Sequence, residues 1–176
     1  TIHTAIAAWK MSTYFKPNLK LKGIKLQTSK WRRPSEITAP VHAKAAGLYM
    51  ICTLSKHHAE SKGFQDSLML DYKGRVAEST GANIFFVKKN ILYTPIPNCF
   101  LNGITRQVVI DLAKKNKIRV IEKNIYPKEL LKADEVFLTG TAVEITPVSQ
   151  IDKKKFLVGI TTKKLLDLFS NFVKKG

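Results

Sequence analysis

The sequence has only two cysteines, Cys52 and Cys99, which excludes a disulfide framework and a four-cysteine metal site. No apolar run approaches the ~20 residues needed to span a bilayer. No basic stretch leads into an apolar core near Thr1, so no secretory signal is expected. Nine Gly and seven Pro exclude a collagenous or low-complexity chain. Acidic residues are scarce, 13 Asp+Glu against 30 Lys+Arg, and the formal charge is +17. Arginine is scarce too, with five against 25 lysines. A charge of this size admits a nucleic acid or a membrane surface as partner. The lysines are spread along the chain, as in Lys20-Leu21-Lys22 and Lys114-Lys115-Asn116-Lys117, and are not gathered with aromatics on one face. A solvated Lys-rich surface is the reading adopted, with no nucleic acid and no membrane as partner. The four histidines, His3, His42, His57 and His58, match no ligand pattern, so no metal is expected. Position 1 is not Met, so an upstream stretch is expected, and a reduced, cytoplasmic setting is the default.

What is present suits one domain with a sizeable core: 176 residues, 44% of them hydrophobic. Apolar spacing predicts helices over residues 43–62, 104–115 and 161–173. The first carries Ala46, Tyr49, Met50 and Leu54 on its apolar face and ends at Gly63. The second presents Ile104, Val108 and Leu112; the third turns Leu165, Leu168, Phe169 and Phe172 inward. Strands are expected at 2–8, 23–27, 67–71, 83–87, 91–94, 117–122, 135–139 and 145–151, with a helical turn at 127–132. Residues 17–40 read as a strand plus a loop that Pro34 and Pro40 interrupt. Strands and helices interleave without strict alternation, which predicts a mixed α+β domain.

Four stretches carry chemistry. Lys44 lies among Ala43, Ala45 and Ala46, with room beside its amine, and a desolvated lysine forms Schiff bases. An exposed helix lysine is the plain alternative. In Ala77-Glu78-Ser79-Thr80-Gly81-Ala82-Asn83, a carboxylate at a strand end suits a protonated ring nitrogen, or only a turn. Leu101-Asn102-Gly103-Ile104-Thr105-Arg106 opens a helix whose first amides suit a phosphate, although Asn and Thr also serve as ordinary caps. Thr139-Gly140-Thr141-Ala142-Val143-Glu144 is a compact polar loop that suits a phosphate or a carboxylate, or is only a turn.

Together these stretches resemble the branched-chain amino-acid aminotransferases, within the fold-type-IV pyridoxal-phosphate enzymes. Ala7-Ala8-Trp9, Tyr14-Phe15, Trp31-Arg32-Arg33-Pro34, Ala133-Asp134-Glu135-Val136-Phe137 and the continuation Ile145-Thr146-Pro147 extend the likeness over nearly the whole chain. The resemblance implies a mixed sheet curling into a partial barrel with flanking helices, and pyridoxal 5'-phosphate as cofactor. It implies transamination of Leu, Ile or Val with 2-oxoglutarate, so amino acids and 2-oxo acids are the small-molecule partners. D-amino-acid aminotransferase and aminodeoxychorismate lyase activities stand as alternatives, as does a non-catalytic remnant; the loop Gly140–Pro147 favours the branched-chain group.

Residue by residue, the resemblance places Lys44 at the lysine that holds the cofactor as a Schiff base and moves the substrate's α-proton. Tyr49 stands at the hydrogen bond to the ring's phenolic oxygen, and Glu78 at the partner of the pyridine nitrogen. Ile104 (through its backbone), Thr105 and Thr141 stand at phosphate-binding positions. Thr141 and Ala142 stand at the substrate-carboxylate loop, Tyr14 at a substrate-pocket tyrosine, and Arg33 behind the site. Relatives carry an additional N-terminal domain that supplies a phosphate-binding arginine and much of the pocket. Residues 1–40 are therefore expected to be an interdomain segment with the first strands of the large domain. Residues 41–176 are expected to be its cofactor-binding body, with the small domain absent. A homo-oligomer, or assembly with a separate N-terminal domain, is expected. Lys10-Met11-Ser12, where many relatives hold a second Trp and a Gly, and Ala82, where some hold an acid, depart from the pattern.

Overall fold

The run Ile84-Phe85-Phe86-Val87 has no polar position because both of its faces are covered. The structure, a computed structural model, describes residues 2–10, 14, 15, 19 and 22–175. Its strands are β1 (Ile24–Arg33), β2 (Asp66–Asp71), β3 (Val76–Ser79), β4 (Asn83–Lys88), β5 (Ile91–Pro95), β6 (Val120–Lys123), β7 (Glu135–Gly140), β8 (Glu144–Ile151) and β9 (Lys154–Lys155). Its helices are α1 (Met50–Ser61), α2 (Ile104–Lys115), α3 (Pro127–Leu130) and α4 (Ile160–Lys175), and a 3-10 turn, Ala46–Tyr49, leads into α1.

β1, β2, β3, β4, β7 and β8 form a closed mixed ring. β1 runs parallel to both β2 and β8, and the remaining ladders are antiparallel. The expected partial barrel is thus complete. β3 and β4 join through the tight turn between them, where Glu78 pairs with Asn83. β5 and β6 extend from β4 as a wing, and β9 edges β8.

Alternation along each strand divides the apolar residues between two cores. Leu26, Leu68, Ile84, Phe86 and Leu138 fill the barrel. Phe85, Val87, Phe137 and Ile145 point outward and meet Val109, Ile110 and Ala113 of α2 and Leu165 of α4. Phe85 and Phe137 stack there at 5.1 Å, and each fully buried side chain of this size contributes about 3 kcal/mol through area removed from water. The buried Glu135 carboxylate accepts from Thr161 N, Thr162 N and the Thr162 hydroxyl, so it supplies an anion to the start of α4.

Several expectations are corrected. Residues 2–8 form no strand: Ile2 and Ile6 are almost fully exposed, and no ladder among the described residues includes them. The buried residues of α1 are Cys52, Ser55 and Ala59, while Met50 and Leu54 face outward. α1 lies close across β1 and β2, where Ser55 bonds Ser29 and takes the Ser67 hydroxyl on its carbonyl; that close approach favours small side chains. In α2 the core face is Val109, Ile110 and Ala113, one position along from Val108 and Leu112, and Ile104 is exposed. The helix is turned that way by Arg106, whose buried guanidinium reaches Pro95 and Glu122 of the wing. Phe172 of α4 is exposed, lying beyond the end of the layer that covers Leu165. Two sequence readings, the substitution at Lys10-Met11-Ser12 and the opening of the 17–40 segment, fall at least partly outside the described residues. Among the described residues, no helix is long and apolar enough to cross a membrane.

Candidate functional site

Directly opposed residues of neighbouring strands project to the same face of a sheet. Glu78 opposes Asn83, and Asn83 opposes Thr139. The three therefore make a polar row across β3, β4 and β7 on the outer face of the barrel. Facing this row are the start of α2 and residues 42–49. Between them lies a cleft of about 310 Å³ whose lining includes Lys44, Tyr49, Glu78, Thr105, Thr139 and Thr141.

Glu78 is the electrostatic centre. It is 8% exposed, and its Oε1 lies 3.3 Å from Arg33 Nε. Burial pushes its carboxyl up from 4.5 to about 8; the Arg33 guanidinium pulls the other way, and the Asp66 carboxyl adds to the rise. Arg33, the last residue of β1, donates to Cys99 O at 3.2 Å, to Leu48 O at 3.1 Å and to Cys52 Sγ at 3.4 Å. It thereby ties the carboxylate to the 3-10 turn that carries Tyr49. Burial first, and then the charge of Glu78, hold the Tyr49 hydroxyl above its usual range. Asp66 is buried behind the row, where it accepts from Thr80 Oγ1 at 2.5 Å and Ser67 N at 2.7 Å, and burial raises its carboxyl.

The opposite side of the cleft is built to present donors. Asn83 Nδ2 donates to Leu101 O at 2.9 Å, and Asn83 Oδ1 accepts from Gly103 N at 3.2 Å, so the row grips the loop that starts α2. Gly103 is required there, because a Cβ would collide with that Asn83 oxygen. No side chain caps α2; its first helical bond runs from Gln107 N to Gly103 O, which leaves the preceding amides without partners in the helix. Arg106 braces the loop from behind, donating to Asn102 Oδ1 at 2.7 Å, Pro95 O at 2.9 Å and Glu122 Oε2 at 2.6 Å. The hydroxyl of Thr139, 1% exposed, finds no hydrogen-bond partner among the described residues.

The cleft thus brings together Lys44, Tyr49, Glu78, Ile104, Thr105 and Thr141 from separate parts of the chain. Two other candidates lie elsewhere. Tyr14 does not line the cleft; it packs edge-on against Phe15, and Lys56 Nζ stands 5.0 Å from its ring centroid. Ala142 is exposed in the turn between β7 and β8, beside the lining residue Thr141. Residue-level reasoning did not single out Asp66; it read Thr139 as part of a phosphate- or carboxylate-binding loop and carried Asn83 only as the end of the Glu78 stretch. Asp66 had a usable signal, since it opens a strand that is otherwise nearly all apolar up to Asp71.

Comparison with known proteins adds the following. The family model for amino-transferase class IV matches residues 1–151. The chain is 39% identical over 158 residues to a branched-chain-amino-acid aminotransferase of Pseudomonas aeruginosa, covering 90% of this chain and 52% of that protein. It is similar to the crystal structure of a branched-chain aminotransferase from Thermoproteus uzoniensis with norvaline, at 37% identity and TM-score 0.89, covering 95% of this chain and 55% of that one. It is also similar to the crystal structure of an aminotransferase from Brucella abortus bound to the co-factor PLP, at 36% identity and TM-score 0.84, covering 90% of this chain and 57% of that one. The chain spans about half the length of the curated relatives it matches.

Proposed function

The chain belongs to the class IV amino-transferase family, and from that premise we propose that it is the cofactor-binding part of a branched-chain amino-acid transaminase. The exchange is between Leu, Ile or Val and 2-oxoglutarate, with pyridoxal 5'-phosphate as cofactor. The observation that carries this reading is that Lys44 is, among the described residues, the one lysine lining a cleft that also contains the buried Glu78 carboxyl and the uncapped start of α2. The donor set fits the cofactor. Lys44 offers a primary amine, Glu78 an acceptor for a ring N–H, and α2 a cluster of amides with Thr105 in its first turn.

When bound, the cofactor supplies an electron sink for the pair left at the substrate's α-carbon. The chain's own residues do the rest. Lys44 Nζ holds the cofactor and carries the α-proton. Glu78 keeps a proton on the ring nitrogen, and Arg33 fixes the carboxylate in place. Tyr49 donates its hydroxyl hydrogen to the phenolic oxygen. The first amides of α2, with the Thr105 and Thr141 hydroxyls, orient the phosphate, and the Thr141-Ala142 turn receives the substrate carboxylate. The similarity to enzymes named for branched-chain amino acids supports the substrate class. Ile104, 81% exposed at the rim of the cleft, supports a further wall from a second copy or another domain. Two unpaired, buried cysteines support a reducing cytoplasmic setting.

The test is chemical. The chain is incubated with pyridoxal phosphate, reduced with borohydride and mapped by peptide analysis. The pyridoxyl group is expected on Lys44 and should be lost in Lys44→Ala. Labelling spread over the surface lysines, unchanged in that variant, overturns the proposal.

A further inference from the structure

The Arg33 guanidinium and the carboxyls of Glu78 and Asp66 are buried within electrostatic reach of one another. Arg33 and Glu78 have parts in the reading above; Asp66 has none. It is 2% exposed and opens β2. A buried carboxyl is costly unless it is paired, hydrogen-bonded or put to use. Here burial raises it, while hydrogen bonds from Thr80 and Ser67 N and the charge of Lys56 on α1 pull it back.

The bond to Thr80 says what Asp66 serves. The β2–β3 ladder ends at Leu68 and Ser79. One residue on, the Thr80 hydroxyl donates to Asp66 Oδ1 at 2.5 Å and carries the contact into the turn. On its other edge β3 meets β4 through Glu78 and Asn83 alone. The strand end that carries Glu78 is thus fastened to β2 by Asp66. The residues that follow Thr80, Gly81 to Asn83, line the cleft together with Glu78.

The charges complete the argument. Arg33 Nε stands 3.3 Å from Glu78 Oε1. That pair alone is neutral overall and exerts little pull on a cation in front of it. Burial is the main reason Glu78 holds its proton; Arg33 opposes it, and Asp66 adds to it. Among the described residues, the other groups set around Glu78 are Tyr49 of the 3-10 turn, Cys52 of α1, and Lys44 and His42 of the cleft wall, and none is a second buried carboxyl. One guanidinium, two carboxylates and one protonated ring nitrogen together carry no net charge.

We propose that Asp66 is a positioning residue for Glu78: held to the β3–β4 turn through Thr80, it supplies the second buried negative charge that lets Glu78 pair with a protonated ring nitrogen while Arg33 stands beside it. This rests on the cofactor reading above and adds to it a residue that acts on Glu78 only through charge and through the turn. No covalent change is involved.

The experiment uses three variants. Asp66→Asn removes the charge and keeps an oxygen for Thr80 and Ser67 N; Thr80→Val cuts the bond, and Thr80→Ser restores it. Each chain is titrated with pyridoxal phosphate and with deazapyridoxal phosphate, in which a C–H replaces the ring nitrogen; binding is followed by ligand absorbance. The parent should prefer pyridoxal phosphate. That preference should fall at least about threefold in Asp66→Asn and in Thr80→Val, the equivalent of about half a pH unit, and return in Thr80→Ser. The ratio is read within one chain, so a general loss of stability cancels from it. Without ligand, Glu78→Gln is compared with its parent by urea unfolding across pH. Its gain with rising pH should shrink when both chains carry Asp66→Asn, because Glu78 then gives up its proton at lower pH. An undiminished preference in Asp66→Asn, an equal loss for both ligands, or an undiminished gain overturns the proposal and leaves the cofactor reading intact. Failure of the parent chain to bind pyridoxal phosphate overturns the cofactor reading and this proposal with it.

Discussion

Glu78→Gln isolates the titration of one buried carboxyl from the rest of the protein. In the unfolded chain Glu78 loses its proton near the ordinary value of 4.5; in the ligand-free fold, burial holds that proton until about pH 8. Between these values the folded state binds one more proton than the unfolded state. Stability from this group is therefore fully present below the lower value and is lost as pH rises through the upper one. The slope is about 1.4 kcal/mol per pH unit, so the loss between about pH 5 and pH 8 is roughly 4 kcal/mol. The amide of Gln cannot titrate, and it keeps an oxygen for Arg33, whose Nε lies 3.3 Å from the carboxylate. The assay is urea unfolding of both chains, without ligand, at several pH values. Every other titrating group is common to the two, so the difference in unfolding free energy reports Glu78 together with its coupling to Asp66 and Tyr49. The Gln variant is expected to gain on the parent steadily as pH rises. A difference that stays flat, or runs the other way, refutes the claim that burial outweighs Arg33 at this carboxyl.

Gly23 has φ +80°, and a Cβ there would stand 2.9 Å from the backbone nitrogen of Ser149. Gly23→Ala should therefore cost about 2 kcal/mol or more by denaturant melting, through left-handed strain plus a backbone collision. Arg106→Ala should cost about 3 kcal/mol and weaken pyridoxal phosphate binding, because a fully buried cation leaves Asn102 and Pro95 O without their donor. Glu122→Gln should cost under about 1 kcal/mol, because the Glu122 side chain is 41% exposed and its charge is screened; equal effects of the two changes would show that the ion pair, and not the loop brace, is what matters.

How far the fold could be read from the chain depended on how local each cause was. Strands with covered faces were legible because two-sided burial writes continuous apolar runs, as at Asn83–Lys88 and Glu135–Gly140; β3, with Glu78 in its middle, and the far half of β1, rich in polar residues, were not. Helix stops were legible from breakers such as Gly63, whose φ is +78°, but the start of the first was not: residues 43–45 lie outside any helix, and α1 begins at Met50 after a 3-10 turn. Helix rotation was not, because α1 buries Cys52, Ser55 and Ala59, residues with little hydrophobic signal, and keeps Met50 outside. α2 is turned by a buried arginine, which a hydrophobic count scores as surface. The closing of the ring depends on which strands meet, and residues far apart in sequence decide that. At the cleft, the positions that the resemblance marked do converge from separate segments, with Tyr14 elsewhere. The partner behind them, Asp66, escaped because a polar residue's burial is set by its neighbours in space.

β3 and β4 touch at Glu78 and Asn83, next to their connecting turn, and then part; by Val76 the β3 backbone has turned to Ile125 O instead. The ring is therefore closed by its shortest ladder, a single residue pair against three or more in each of the others. The polar row runs across that seam, with Glu78 on one lip and Asn83 and Thr139 on the other. A molecule that meets Glu78 and the start of α2 together spans this seam. The seam is the thinnest point of the ring's backbone pairing, and Val76, Ala82 and Ile84 beside it are held by the barrel core.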